Sequence, residues 1–456
     1  GDTMLTQTGV DRYKELAKHA AERRAADIAA IKQCRFDTIA VHGLYSMNEA
    51  LNFNQGSIIE PMFMSSSQTY RDSDEMEAAL SYRIPTWCYS RIHNPTVFYL
   101  EETLALLESY GCATDATGLC TSSGMSAIKQ AVEPLVARRG SEPINFVSTA
   151  QVYGGTFQLF NLRMAERGAE VRWVTEPWRI ETWEPLIDDN TRFLYVEMPS
   201  NPQQVCTDLS AAAELAHSHG IPLIVDATVA TPALMRPLAH GADIVVHSLS
   251  KTAGAGGNAI AGGIVARHGL MSRHLDDDQR TDYALWLKLW PFRDSGPCMT
   301  PITAHYLLNE MRTLRIKMAQ MSSNTMAVAR FLSDHPKIER VDYLGLESHK
   351  LHGLASRYLK VVDDDTPAYG HLMSFNIRGS ATDTRVFFDG LQRTFRATDL
   401  GRIKSVATIP AISTHQQQGE EGRRLAGIPP TMVRLCVGGE HPDDTIDDLD
   451  QALARS

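Results

Sequence analysis

Two ionisable residues each follow an apolar stretch in the middle of this chain, and their types point to chemistry at a carbonyl group. Asp226 ends the stretch 221–226, and Lys251 stands 25 positions later, just before a loop rich in Gly and Ala. A lone Asp after a strand is usually a turn or cap residue. A Lys in this position does not lie on a solvated helix face, and burial favours the neutral amine that attacks a carbonyl carbon. The pair therefore predicts a reactive lysine with an acidic partner.

The neighbouring segments offer a place for a phosphate group. Residues 121–128 begin a helix with Gly124 and Met125 in its first turn, where exposed N–H groups bind anions. Ser248 and Ser250 add hydroxyl donors just before the lysine. A capped helix and a serine-rich turn are the alternative explanation of these residues.

Three further residues have side chains suited to a cofactor or a substrate. Tyr153 and Asn201 each follow a predicted strand, where an aromatic ring can stack on a cofactor and an amide can hydrogen-bond to it. Turn or core roles remain open for both. Arg434 lies inside an apolar stretch, so its guanidinium must find an acceptor. A substrate carboxylate and a structural salt bridge both meet that need.

Lys251 and Asp226 together match the needs of pyridoxal 5'-phosphate (PLP). This cofactor reacts through a lysine amine, and an aspartate carboxylate keeps its pyridine nitrogen protonated so that the ring accepts electrons. The candidate phosphate site adds the third part. The sequence therefore predicts a PLP enzyme that acts on a small amino-acid substrate.

An α/β framework must bring these residues together. Short apolar stretches alternate with helical segments, one of which has Asp208 as its predicted N-cap. This alternation predicts a mainly parallel sheet covered on both faces, with the ligand beyond the carboxyl ends of the strands. The predicted strands are residues 144–147, 171–174, 192–197, 223–226, 244–247 and 263–266.

The length of 456 residues exceeds what one core holds, so we expect three parts. Residues 1–80 form an N-terminal helix, near residues 11–32, and an extended arm. Residues 81–310 form a large PLP-binding domain, and residues 311–456 form a small α+β domain. A long helical pattern at 301–333 bridges the two domains.

Charge and cysteine content exclude several classes of protein. The net charge of −10 disfavours partners such as nucleic acid or an anionic membrane, and we expect neither. No apolar run is long enough to cross a bilayer. The seven Cys are scattered and form no CxxC pair, which predicts reduced thiols, no zinc or other metal site, and a cytoplasmic location.

Six short motifs run through most of the chain. They are YSRIHNPT (89–96), SGMSAI (123–128), YGGT (153–156), PSNP (199–202), DAT (226–228) and HSLSK (247–251). In this order they closely resemble the Cys/Met-metabolism family of PLP enzymes, the group of cystathionine γ-synthase, cystathionine γ-lyase, methionine γ-lyase and O-acetylhomoserine sulfhydrylase. The similarity runs from about Thr38 to the C-terminus.

The resemblance implies the PLP-dependent transferase fold (fold type I) and a homotetramer built from two tight dimers. Tyr89 and Arg91 would reach the phosphate of the neighbouring subunit, which would make the dimer the catalytic unit. Arg434 would bind the substrate α-carboxylate. The residues that the resemblance implies for cofactor binding within one chain are Lys251 (the Schiff-base lysine), Asp226, Thr228, Tyr153, Asn201, Gly124, Met125, Ser248 and Ser250.

The chain departs from the family in three places. Thr252 and residues 255–258 replace a Tyr and a Gly-His-Ser-Asp turn after the lysine. Residues 399–405 replace a Ser-Leu-Gly-Gly-x-Glu-Ser segment, and Lys404 stands where an acidic side chain faces the distal part of the substrate. We therefore expect Lys404 and Ser405 to contribute to substrate binding. Gly155 stands where methionine γ-lyases have a Cys.

The resemblance implies γ-elimination or γ-replacement on a γ-substituted amino acid, such as a homoserine derivative, cystathionine or methionine. Lys251 would move the Cα proton, and Tyr153 would serve as an acid or base when the γ-substituent leaves. Two alternatives remain open. One is a PLP-dependent β-lyase, and the other is a nucleotide-binding α/β protein, although the glycine run after Lys251 lacks the Lys-Ser/Thr ending of a phosphate loop.

Overall fold

A seven-stranded sheet forms from the apolar stretches of the first two thirds of the chain. The computed structural model describes residues 2–81, 87–138 and 140–456. The strands follow the order β1-β7-β6-β5-β4-β2-β3, and adjacent strands are parallel except where β7 pairs with β1 and β6. These strands are β1 (Ala116–Thr121), β2 (Ile144–Thr149), β3 (Ala169–Val174), β4 (Thr191–Glu197), β5 (Leu223–Asp226), β6 (Ile244–His247) and β7 (Gly262–Arg267).

The central strands are buried on both faces, which explains their continuous apolar sequence. Leu223 and Val225 pack into one hydrophobic core, whereas Ile224 between them packs into a second core on the opposite face. This alternation follows from the two-residue period of a strand. The predicted mainly parallel α/β sheet is confirmed. The sequence pattern had not indicated β1, which contains Thr and Gly, or the antiparallel direction of β7.

Helices cover both faces of this sheet and continue into the C-terminal part. They are α1 (Asp2–Ile31), α2 (Phe36–His42), α3 (Met47–Phe53), α4 (Ser73–Leu80), α5 (Pro95–Glu108), α6 (Gly124–Val132), α7 (Gly154–Gln158), α8 (Leu209–Ser218), α9 (Thr231–Leu234), α10 (Asp277–Thr281), α11 (Tyr283–Leu287), α12 (Arg293–Ser295), α13 (Pro301–Met311), α14 (Leu314–Asp334), α15 (His352–Tyr358), α16 (Ala381–Gly390), α17 (Gly419–Ala426) and α18 (Pro442–Leu453). Asp208 caps α8 as predicted, since its side chain accepts from the N–H of Ala211.

A second sheet of five strands forms after residue 337. Its order is β10-β11-β12-β9-β8, with only the short pair β10 and β11 parallel. The α18 helix packs against α14 and α16 beside this sheet. The strands are β8 (Ile338–Asp342), β9 (Leu372–Ile377), β10 (Phe395–Arg396), β11 (Val406–Thr408) and β12 (Met432–Cys436). The predicted smaller α+β sheet is therefore present.

Two predictions of local structure were wrong. The arm expected to be extended contains α2, α3 and α4, whose seven or eight residues are too short to give a clear helical period in the sequence. The single helical pattern at 301–333 is divided into α13 and α14. The break falls at Arg312, which donates a hydrogen bond to the carbonyl of Val41 (3.2 Å) and pairs with Glu60 in the N-terminal part.

The α1 helix lies against this N-terminal part. The Arg24 guanidinium is about equally far from the rings of Phe53, Trp87 and Phe98, at 5.2 to 5.6 Å, and it pairs with the buried Glu49 at 2.8 Å. A buried carboxylate needs such a partner. The predicted part boundaries at residues 80 and 310 stay predictions. Among the described residues, no helix is both long enough and apolar enough to cross a membrane.

Candidate active site

Two carboxylates stand side by side at the carboxyl ends of β4 and β5. Glu197 and Asp226 are register partners in this parallel pair, and both side chains are buried. The Asp226 Oδ1 atom accepts hydrogen bonds from the N–H (3.0 Å) and the hydroxyl (2.6 Å) of Thr228. The other oxygen, Oδ2, has a long contact of 3.5 Å with the Tyr195 hydroxyl. This oxygen is therefore free to take a strong donor from a ligand.

Burial sets the protonation behaviour of this pair. It raises the pKa of Asp226, and the two Thr228 hydrogen bonds oppose that rise. Burial, and next the negative charge of Asp226, raise the pKa of Glu197 well above its usual range. The Glu197 oxygens accept from the backbone N–H of Tyr153 (2.7 Å) and of Asn201 (2.9 Å). Glu197 thus ties together the segments that carry these two predicted ligands.

The first turn of α6 lies against the segment that follows β6. Ser123 caps this helix and accepts from the N–H of Ser126, which leaves the N–H groups of Gly124 and Met125 for a ligand. A Cβ atom at position 124 would lie 2.6 Å from the Cβ of Ser248, so only glycine allows this close approach. The N–H of Ser248 donates to the Thr228 hydroxyl at 2.9 Å. The ends of β5 and β6 therefore lie against the start of α6. We call the surface formed by Gly124, Thr228 and Ser248 the cradle.

Lys251 reaches towards the cradle from the same segment. Its Nζ atom donates to Asp399 Oδ1 at 2.9 Å, and both side chains are half-buried. The hydroxyl of Ser250 is bonded to Ala261, the residue before β7, because it donates to the Ala261 carbonyl (3.1 Å) and accepts from its N–H (2.8 Å). Ser250 still lines the cavity next to Lys251.

Arg434 enters the site from β12 and is buried. Its hydrogen bonds go to neutral oxygens, namely Asn201 Oδ1 (3.1 Å) and the carbonyls of Thr398 and Asp399 (2.8 Å each). Burial lowers its pKa to about 10, so the guanidinium is charged at neutral pH. No carboxylate pairs with it in the described part of the chain, which argues against the structural salt bridge. A buried cation without an anionic partner favours an anionic ligand.

These side chains surround one cavity of about 190 Å³. It brings together ten of the residues predicted from the sequence, and the others lie elsewhere. The cavity is lined by Ser123, Gly124, Met125, Ile128, Tyr153, Glu197, Pro199, Asn201, Asp226, Thr228, Val229, Ser248, Ser250, Lys251, Thr398, Leu400 and Arg434.

Four predicted residues do not line this cavity. Tyr89 and Arg91 are exposed and lie together, with the guanidinium 5.3 Å from the tyrosine ring. Lys404 is exposed, and its Nζ atom lies 5.0 Å from the ring of Phe395. Ser405 is buried, where its N–H and hydroxyl both donate to Glu440, at 2.7 and 2.9 Å. The expected contact of Lys404 and Ser405 with the substrate therefore has no support in this arrangement.

Sequence reasoning missed two carboxylates of the site. Glu197 carried a usable signal, because it ends a buried strand next to the strand of Asp226. Asp399 stood out only as the replacement of a family serine, and nothing in the sequence indicated its contact with Lys251, which is 148 positions away.

The residues present around the cavity fit PLP. A buried carboxylate with a free oxygen suits a protonated ring nitrogen, and the cradle at Gly124 suits a phosphate. Lys251 offers the amine, and the exposed ring of Tyr153 stands at the cavity wall. The donor set therefore agrees with the cofactor predicted from the sequence.

Comparison with known proteins gives the same class. Residues 37–454 match the family model of the Cys/Met metabolism PLP-dependent enzymes. Homocysteine synthase of Schizosaccharomyces pombe is 33% identical over 443 residues, covering 92% of this chain and 98% of that protein. L-methionine gamma-lyase of Pseudomonas deceptionensis is 32% identical over 424 residues, covering 92% and 98%.

A crystal structure from Campylobacter jejuni superposes with a TM-score of 0.83 at 30% identity, covering 92% of this chain and all of that one. It contains N'-pyridoxyl-lysine-5'-monophosphate. The chain belongs to the Cys/Met metabolism family of PLP-dependent enzymes. The predicted fold type I, the cofactor and the γ-elimination or γ-replacement chemistry are thereby confirmed.

Proposed function

We propose that this enzyme catalyses γ-replacement on an O-acylhomoserine, in which a sulfur nucleophile bonds to Cγ and the acyloxy group leaves that carbon as a free carboxylate. The observation that carries the proposal is the single cavity that joins Lys251, Asp226 and the start of α6 to the buried cation of Arg434. Similarity to a homocysteine synthase supports replacement. Gly155, which stands where methionine γ-lyases have a cysteine, supports the same choice.

The residues that hold the cofactor follow from the donor set. Asp226 keeps the proton on the ring nitrogen, while Thr228 holds the Asp226 carboxylate in place through its two hydrogen bonds. Tyr153 would stack on the ring, and Asn201 would hydrogen-bond to its edge. The phosphate would be held by Gly124, Met125 and Ser248, and by Ser250 once its hydroxyl turns away from Ala261. Bound PLP withdraws electrons from the attached amino acid and so acidifies its Cα and Cβ hydrogens.

The chain's own side chains then bind the substrate and move protons. Arg434 takes the α-carboxylate, because its buried guanidinium bonds only to neutral oxygens and so lacks an anionic partner. The freed amine of Lys251 accepts the Cα proton and returns it within the same cavity. Tyr153, which lines the same cavity, would donate to the departing acyloxy oxygen or accept from the incoming thiol.

Simple γ-elimination is the second candidate, and similarity to a methionine gamma-lyase favours it. A product assay separates the two. Purified enzyme is given O-acetylhomoserine with and without sulfide, and cystathionine in a separate reaction. Homocysteine formed only with sulfide supports replacement, whereas 2-oxobutyrate at an equal rate without sulfide supports elimination. Pyruvate from cystathionine would contradict γ-chemistry and indicate a β-lyase. A Lys251→Ala preparation is the control for contaminating activity.

We propose that the catalytic unit is a homodimer and that two dimers form a tetramer. Tyr89 and Arg91 support this because they are exposed and away from the cavity of their own chain. The exposed apolar side chains of the N-terminal part, including Leu51 and Ile58, are suited to an interface. Light scattering during gel filtration measures the oligomeric state. An active enzyme that is monomeric would contradict the proposed dimer.

We also propose a cytoplasmic location, supported by seven cysteines that are all free thiols. The proposed limits of the large and small domains are residues 81–310 and 311–456. Cell fractionation tests the location. Limited proteolysis tests the domain limits, and preferred cleavage within residues 81–310 would contradict those limits.

A further inference from the structure

The amine of Lys251 has a carboxylate partner that comes from the small sheet. Asp399 lies in the loop between β10 and β11, and its Oδ1 atom accepts from Lys251 Nζ at 2.9 Å. The family resemblance puts a serine at this position. A full negative charge therefore stands beside the reactive nitrogen where the family has a neutral hydroxyl.

Three further contacts fix the Asp399 carboxylate and its backbone. The Nε atom of Arg402 donates to Asp399 Oδ2, and the N–H of Leu400 donates to Oδ1 at 2.9 Å. The Asp399 carbonyl accepts from Arg434 at 2.8 Å. Partial burial raises the pKa of Asp399, but hydrogen bonds and charges of Lys251 and Arg402 outweigh it, so the net direction is downward. The side chain is therefore a carboxylate at neutral pH.

Arg402 connects this carboxylate to the backbone around the lysine. Its Nη1 atom donates to the carbonyls of Ser250 and Gly254, the latter at 3.2 Å. The N–H of Ile403 donates to the carbonyl of Ala255 at 2.9 Å. The two stretches in which this chain departs from its family, after Lys251 and at 399–405, are therefore packed against each other as one unit.

Thr252 anchors the same unit from the other side. Its hydroxyl lies 2.6 Å from His371 Nε2, and His371 Nδ1 lies 3.1 Å from the Sγ atom of Cys436 in β12. All three side chains are buried. The loop after the lysine is thereby attached to the small sheet, which keeps the loop of Asp399 at a fixed distance from Lys251.

We propose that Asp399 is a positioning residue that holds its negative charge against Lys251 Nζ and so favours the protonated form of that nitrogen while the cofactor is attached. Arg402 keeps the carboxylate in place. The proposal rests on the proposed function, because it requires the cofactor on Lys251. An opposite charge within about 4–6 Å shifts the pKa of a group by roughly one to three units in the direction that favours its charged form.

Other ionisable groups also surround the lysine and must be counted in a titration. They come from the ends of β4 and β5, from the start of α7, from β12 and from the loop of Asp399. These groups are Glu197, Asp226, Tyr153, Arg434 and Arg402.

The test is a pH titration of the visible absorption band of the purified holoenzyme. Asp399→Asn and Asp399→Ser remove the charge, and we expect both to move the midpoint downward by about one to three pH units. Asp399→Glu retains a carboxylate and should stay nearer to the wild-type midpoint than either. Asp447→Asn, on the exposed face of α18, is the matched control and should titrate like wild type. Thermal melting shows which variants are folded.

Each outcome decides between the two proposals. Wild-type protein without a visible band would contradict the proposed function itself. A wild-type band that titrates at the same midpoint in D399N and D399S would overturn the role of Asp399 and leave the cofactor assignment intact. Because serine is the residue of the family at this position, D399S keeps the test valid even if D399N does not fold.

Discussion

The floor and the rim of the cavity were built from different parts of the chain, and they differ in how closely they follow the family. The floor consists of Asp226, Glu197 and the cradle at Gly124, all at the ends of elements of the large sheet. The rim consists of residues 252–258 and 399–405, which pack on each other through Arg402 and Ile403. Asp226 and Gly124 of the floor, like the neighbouring Lys251, stand in family motifs, whereas the rim departs from the family. The comparison separates the residues that bind the cofactor from those that adjust its chemistry.

Replacing a residue of the floor should have the largest effect on kcat. Asp226→Asn still accepts the Thr228 hydrogen bonds but no longer carries the charge that keeps a ring nitrogen protonated. We expect kcat to fall about 10²- to 10³-fold, the cost of losing one preorganised electrostatic partner. Steady-state kinetics measure it. Asp243→Asn is the control, because this buried carboxylate accepts from the N–H of Leu223 (2.9 Å) outside the cavity. It should lower stability and leave kcat unchanged.

This division also explains what could be predicted from the sequence. Asp226 and Lys251 follow apolar stretches directly, so local pattern was enough to find them and the strands that carry them. The α2 and α3 helices were missed because one or two turns give too few repeats of the helical period. The pair of Lys251 and Asp399 was missed because it joins positions 148 apart, and no local pattern encodes such a contact.

Arg434 joins the floor to the rim, and its replacement should affect binding more than catalysis. Arg434→Lys keeps the charge but loses the planar fork that bonds to Asn201, to the backbone carbonyls and to a carboxylate. We expect KM to rise about 10- to 100-fold, the range for hydrogen bonds to a charged group, with a smaller change in kcat. Arg340→Lys, exposed on β8, is the control. A kcat loss at unchanged KM would contradict the proposed role.

A substitution on the outer surface of the rim should have the smallest effect on substrate preference. The sequence predicts that Lys404 contributes to substrate binding, but in the structure its ammonium lies 5.0 Å from the ring of Phe395, outside the cavity. We therefore expect Lys404→Glu to leave the rank order of substrates unchanged. The loss of an exposed cation–π contact costs only about 0.5–1 kcal/mol of stability. A substrate screen checks this, and a reversed preference would restore Lys404 as a specificity residue.

The attachment of the cofactor to Lys251 is the claim on which the floor and the rim both depend. Borohydride reduction of the purified yellow enzyme, followed by peptide mass mapping, measures it directly. We predict that the visible band bleaches and that the pyridoxyl phosphate mass is found on the peptide that contains Lys251. A label on another lysine, or a colourless protein that does not bind added PLP, would contradict the account.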